Sequence, residues 1–237
     1  MTRSYKDFLH WKVTTTDGHE RPVADVLLDD RGWSVRYVLV ETGGWLHGRQ
    51  LLISSAAFGA PDSREHVLPI QATLNQMEKS PPLKSHMPVT LAHERALEEY
   101  YEWPPREAEG SVLPESVTRQ LTPDTQALQD RTVDRHTKPI AGEAHLWSAG
   151  ALLKMKAVTR DRQKSGLDDV LLSEDLHHVA GWIVDARPWM PGGEAMLGPS
   201  AVSGVDLNDG VVSLVLERTE IEGLAAAQVN LAAAKGR

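Results

Sequence analysis

The chain has no cysteine in its 237 residues. This excludes disulfide frameworks, cysteine-ligated zinc, iron–sulfur clusters and thiol nucleophiles. Positive charge is in deficit: Lys plus Arg number 25 against 33 for Asp plus Glu, a net charge of −8. Phosphate binding needs clustered cations, so nucleic acid is not expected as the main partner. No apolar run approaches the ~18 residues of a membrane span. The first 18 residues lack the ~7–15-residue apolar core of a secretory signal, so the expected location is the cytoplasm and no transmembrane segment is expected. Phenylalanine is nearly missing, with 2 residues, whereas tryptophan numbers 7. The rest is ordinary for a globular chain, 41% hydrophobic and 24% charged.

What the chain does have is an internal repeat. Shifted by 144 positions, Leu9–Ser80 aligns without gaps on Leu153–Leu224, with 16 of 72 positions identical. The strongest block is Asp25-Val26-Leu27-Leu28 against Asp169-Val170-Leu171-Leu172, and Val35/Val179, Val40/Val184, Trp45/Trp189, Gly48/Gly192 and Asp62/Asp206 also match. Other pairs are apolar on both sides, among them Leu39/Ile183 and Leu52/Met196. The reading is two copies of one domain, at 1–80 and 146–224, followed by an Ala-rich tail at 225–237. Residues 81–145 between them carry eight prolines and read as a linker. Within it, Thr90–Tyr101 is free of Gly and Pro and predicts a short helix that Pro104 stops.

Each copy reads as strands. Trp33–Glu41 is rich in β-branched and aromatic residues, with Asp29–Gly32 and Thr42–Gly44 as turns on either side. Asp17-Gly18 is a hairpin signal. Further strands are predicted at Gln50–Ser54 and His66–Gln71, and in the second copy at Val179–Ala186, Ala195–Leu197 and Val211–Leu216. The predicted fold class is mainly β: two small antiparallel barrels from a repeat, joined by a Pro-rich linker with a short helix. Closure would remove exposed strand edges, and so small a barrel is filled by its own side chains. Val35, Leu39, Val179 and Ile183 are expected to be buried equivalents.

The run from Thr15 to Ile53 resembles the PRC-barrel family. The residues that carry the likeness are Asp17-Gly18, Val26–Asp29, Trp33–Val40, Thr42–Trp45 and Gly48–Ile53. The second copy is a divergent match that keeps Asp169–Leu172, Asp185, Trp189 and Gly192 but has Asp161-Arg162 at the first turn and Ala180-Gly181 in place of Arg36-Tyr37. Pro88–Pro105 resembles the connector of bacterial tandem PRC-barrel proteins. The family includes the cytoplasmic domain of the photosynthetic reaction-centre H subunit and a domain of a ribosome maturation factor. The resemblance therefore implies a barrel that docks on another protein and is not itself a catalyst.

The chemistry-bearing residues are sparse. His93-Glu94 lacks the second histidine of a zinc-protease helix. His177 and His178 are adjacent in a turn, so their side chains are poorly placed to hold one ion, and no metal or cofactor is expected. Glu94, Glu98, Glu99 and Glu102 read as a solvated acidic face. The aromatics are the better candidates for an interaction surface, because Trp and Tyr join an apolar body to a polar tip. Trp45 and Trp189, equivalent by the repeat, either cap the small cores or face a partner. Tyr100, Tyr101 and Trp103 are expected to pack back on a barrel and to contribute to any homodimer contact. Two function classes follow: a non-catalytic protein-interaction or scaffold module, and a metal-dependent hydrolase or ligand-binding protein with a site between the barrels. A cluster of carboxylates and histidines would favour the second, and an open apolar face would favour the first.

Overall fold

The computed structural model describes residues 2–41, 50–81, 91–102, 146–190 and 193–235. The first half contains β1 (Arg3–Ser4), α1 (Tyr5–Phe8), β2 (Lys12–Thr14), β3 (Glu20–Asp29), β4 (Ser34–Glu41), β5 (Gln50–Ser54), β6 (Val67–Pro69), α2 (Leu74–Lys79) and α3 (Leu91–Tyr101). The second half contains β7 (Leu146–Ser148), α4 (Ala149–Leu152), β8 (Lys156–Val158), β9 (Lys164–Leu172), β10 (Val179–Asp185), β11 (Glu194–Leu197), β12 (Val202–Asp206), β13 (Val211–Leu214) and α5 (Arg218–Lys235). The chain is mainly β, in two sheets ordered β5-β4-β3-β2-β6 and β11-β10-β9-β8-β13-β12.

The purely antiparallel expectation needs correction. β2 pairs with β6, and β8 with β13, in parallel. These are early and late strands of a copy, and the intervening meander serves as the long crossover that parallel pairing requires. Among the described residues, no ladder closes either sheet into a barrel.

The offset of 144 holds at the level of single hydrogen bonds. Thr15 Oγ1 donates to Asp17 Oδ1 at 2.6 Å, and Thr159 Oγ1 to Asp161 Oδ1 at 2.6 Å. Asp17 caps α2 through Leu74 N, and Asp161 caps α5 through Arg218 N, each at 3.0 Å. The turn survives the change from Gly18 to Arg162, because Arg162 takes the same left-handed backbone, φ 64° against 81°. Both copies carry a bulge where β3 meets β4 and β9 meets β10: Leu27 and Leu28 face Tyr37 and Val35, as Leu171 and Leu172 face Gly181 and Val179.

The two halves exchange their leading segments. β1, at the start of the first copy, pairs with β9 of the second, and β7, at the start of the second, pairs with β3 of the first. Arg3 faces Leu172 and Trp147 faces Leu28, which are equivalent pairs. The buried apolar residues of both halves form one continuous cluster, from Phe8, Trp11 and Val26 to Trp182, Val184 and Ile221. A second, smaller cluster of Leu27, Tyr37, Leu39, Leu52 and Leu97 lies on the outer face of the first sheet, beneath α3. This explains a second departure from expectation. Val35, Leu39 and Val179 are buried, but Ile183 is only half-buried. Leu39 has Leu97 over it, whereas on Ile183's face Met196 stands 51% exposed.

Candidate functional site

The repeat places its most distinctive side chains where the halves meet. Val35 N donates to His177 O, and Val179 N to Trp33 O, both at 2.8 Å. Ser34 and His178 form a bridge between these bonds. A reciprocal pair of this kind is the signature of an isologous contact, here made within one chain. The buried indole of Trp33 meets Trp182 edge to face, with centroids 4.7 Å apart. Each satisfies its N–H on a backbone carbonyl of the second copy, Trp33 on Val202 at 3.2 Å and Trp182 on Pro199 at 3.0 Å. His177 is therefore more than a turn residue: its ring stands edge-on to Phe58 of the other copy at 5.7 Å.

Two carboxylates lock the exchanged segments. Asp169 accepts from Ser4 Oγ and from Lys6 N at 3.2 Å. Asp25 accepts from Ser148 Oγ, from Gly150 N at 3.2 Å and from Tyr5 OH at 2.7 Å. Burial, then the neighbouring Asp25 charge, push the Tyr5 phenol far above its usual range. The hydroxyl thus stays a donor. Sequence comparison missed these locks because the self-match begins at Leu9. The identity of Ser4 and Ser148 at the same offset is the signal that lay just outside it.

Of the predicted interaction residues, Trp189 is half-buried and packs against the large core. Tyr100 is 37% exposed, and its hydroxyl donates to Gln76 O at 2.9 Å. Tyr101 is half-buried between the two clusters, and burial pushes its phenol up to about 12. Trp45 and Trp103 lie outside the described residues. Tyr100 and Tyr101 meet edge to face at 4.8 Å, so the structure brings these two together and sets Trp189 apart, on the second copy.

The acidic face of α3 is corrected at one position. Glu94 is 7% exposed and holds Arg36 at 2.7 Å, with Tyr37 OH at 3.4 Å. Burial pushes the Arg36 guanidinium down, but the Glu94 carboxylate more than offsets this and leaves it above its ordinary value. Glu94 is on the inner side of the helix with Leu97, three residues on, so helical spacing carries it under the helix rather than into solvent.

Among the described residues, nothing on the equivalent face of the second sheet matches Leu97 or Glu94. Leu171, Ile183 and Met196 take the places of Leu27, Leu39 and Leu52, and Ala180-Gly181 replaces Arg36-Tyr37. α5 meets this sheet at its edge, where the Gln228 side chain pairs with Met196 N and O at 2.8 and 2.9 Å. Among the described residues, no three His, Asp or Glu side chains converge as a metal site, and no helix is long and apolar enough to cross a membrane. No protein-family model and no curated protein matches this chain.

Proposed function

We propose that the chain is a non-catalytic protein-interaction module of tandem PRC-barrel type, whose resemblance links it to photosynthetic or membrane-associated machinery. The observation that carries the reading is the exposed Met196 on the outer face of the second sheet, over which no described residue stands as Leu97 does on the first. Leu171, Ile183 and Met196 occupy the positions that α3 covers on the first sheet, yet Met196 is 51% exposed. The partner chemistry follows from α3 itself, whose Leu97 is fully buried on the first face. The face suits an amphipathic helix from another protein that presents one or two leucine-like side chains.

The test is a photo-crosslinking amino acid in place of Met196 in the native host, with a control at Leu207, which is 67% exposed on the β12–β13 turn. Support requires one discrete partner at position 196, absent at 207, that binds the purified chain and loses that binding on Ile183→Glu. Identical products at both positions would overturn the reading. A product with this same chain alone would replace it with a homodimer.

A further inference from the structure

β11 is the last strand of the second sheet, with β10 on one side and no described strand on the other. Residues of a strand turn their N–H and C=O alternately to its two sides. Met196 turns both away from β10, and one side chain holds them. The Met196 N–H donates to Gln228 Oε1 at 2.8 Å, and the Met196 C=O accepts from Gln228 Nε2 at 2.9 Å. A single primary amide thus makes the two bonds that a residue of a neighbouring antiparallel strand would make. Gln228 is there because α5 outruns its equivalent. α2 and α5 start at equivalent places, Leu74 and Arg218, but α2 ends at Lys79, just before Pro81-Pro82, whereas α5 continues to Lys235. Ile221, Ala225 and Gln228 recur at helical spacing, the first two fully buried. Past Met196 the edge stays extended through Gly198, at φ −68° and ψ 166°, and the space beside its Cα is open.

We propose that the outer edge of β11 pairs with β11 of a second copy of this chain, and that Gln228 holds that edge closed in the single chain. The occupant follows from the strand itself. An antiparallel pair centred on Met196 lets the two copies of this residue exchange both N–H···O bonds, and it sets Glu194 of each copy opposite Gly198 of the other. No like charges face each other, and the two exposed Met196 side chains come together on one face. The register is therefore self-complementary, as a two-fold contact requires. Gln228 competes for the same two backbone groups, so release of α5 and pairing of the edge are one equilibrium. An open strand edge is a template for pairing, and covering it with a helix suppresses that. This edge is distinct from the outer face on which the protein-interaction reading rests. Pairing is read on the purified chain alone, so either can fail without the other.

The experiment is sedimentation of the intact chain over a concentration series at about 0.15 M salt, where repulsion between copies of net charge −8 is screened. Gln228→Ala removes both bonds and keeps a strong helix former in α5. It should raise self-association about tenfold over the unaltered chain. Amide exchange should follow the same course. The Met196 N–H loses protection in dilute Gln228→Ala and regains it, together with Glu194 and Gly198, as the dimer forms. Adding Gly198→Pro should undo the association. The backbone of Gly198 already has the φ that proline needs, but proline lacks the N–H that the pairing uses. Should that variant fail to fold, Met196→Pro blocks the centre of the register instead. Sedimentation of Gln228→Ala like the unaltered chain at every concentration would overturn the proposal. Dimers that survive the proline, or that leave the three amides unprotected, would overturn it as well, because the copies would then meet elsewhere.

Discussion

A single ion pair decides how α3 is held. The side chains of Arg36 and Glu94 are only 16% and 9% exposed, so removing one leaves a desolvated charge behind. Glu94→Ala should cost about 2–3 kcal/mol in chemical denaturation, whereas the joint change Arg36→Met with Glu94→Leu should recover most of the loss. A loss under about 0.5 kcal/mol for the single change would show that water screens the pair. A different residue-scale strain sits in the second copy, where Arg162 adopts φ 64° without being glycine. Arg162→Gly should raise stability by about 0.5–1 kcal/mol, read from the denaturation midpoint. The neighbouring threonines set a pH response. Hydrogen bonds from Thr15 and Thr159 are the largest influence holding the Asp17 and Asp161 carboxyls below their usual range, with backbone donors adding to it. Such groups stabilise the fold above the unfolded aspartate value of about 3.9, and that contribution is lost as pH falls through the lower folded value. Thr15→Val with Thr159→Val should therefore move the acid-unfolding midpoint to higher pH. An unmoved midpoint would detach these turns from acid stability.

At the scale of elements, α3 acts as the lid of one sheet and has no described counterpart on the other. Its hold on the outer face runs through Leu97, which is fully buried among Leu27, Tyr37, Leu39 and Leu52. Leu97→Ala should cost about 2–4 kcal/mol and speed proteolytic cleavage within 91–101, while cleavage in α5 stays unchanged. Equal acceleration in both helices would mean that the loss is global rather than local to α3. The exchanged segments are held by different means. β1 and β7 are too short to stand as strands on their own, and their position depends on Asp169 and Asp25, each of which accepts a serine hydroxyl and a backbone N–H from the segment it holds.

For the whole molecule, the continuous core overrides the repeat. Trp33 of the first copy and Trp182 of the second pack on each other, and each leading segment completes the sheet of the other copy. Neither copy can open without exposing the other's apolar surface. Calorimetry of the intact chain should thus show one cooperative transition, lowered as a unit by Trp182→Ala. Two transitions, with only one shifted by that change, would restore two independent domains.

The sequence by itself determined the local content of this protein. Strand composition, the Asp17 turn and the helix over Leu91–Tyr101 depend on short-range propensity and on hydrogen bonds within a few residues, and these were readable, whereas Asp161-Arg162 lacks the glycine that signals such a turn and its turn emerged only in the structure. The contact between Tyr100 and Tyr101 was readable on the same grounds, since both lie on the helix that covers the first sheet. Other features were settled only when distant segments met. The parallel pairing of β2 with β6 sits at a separation that no hydrophobic period reports. Glu94 looked solvated until Arg36 was brought beneath it. The exposure of Met196 is a difference between the copies, visible only when the fold shows that Leu97 lies over the first of the two equivalent faces. The physical reason is that propensity acts along the chain, whereas burial and charge pairing act across it. In a repeat, the same local rules produce two similar sheets, and only contacts with the rest of the chain, such as Leu97 on the first outer face, make them differ.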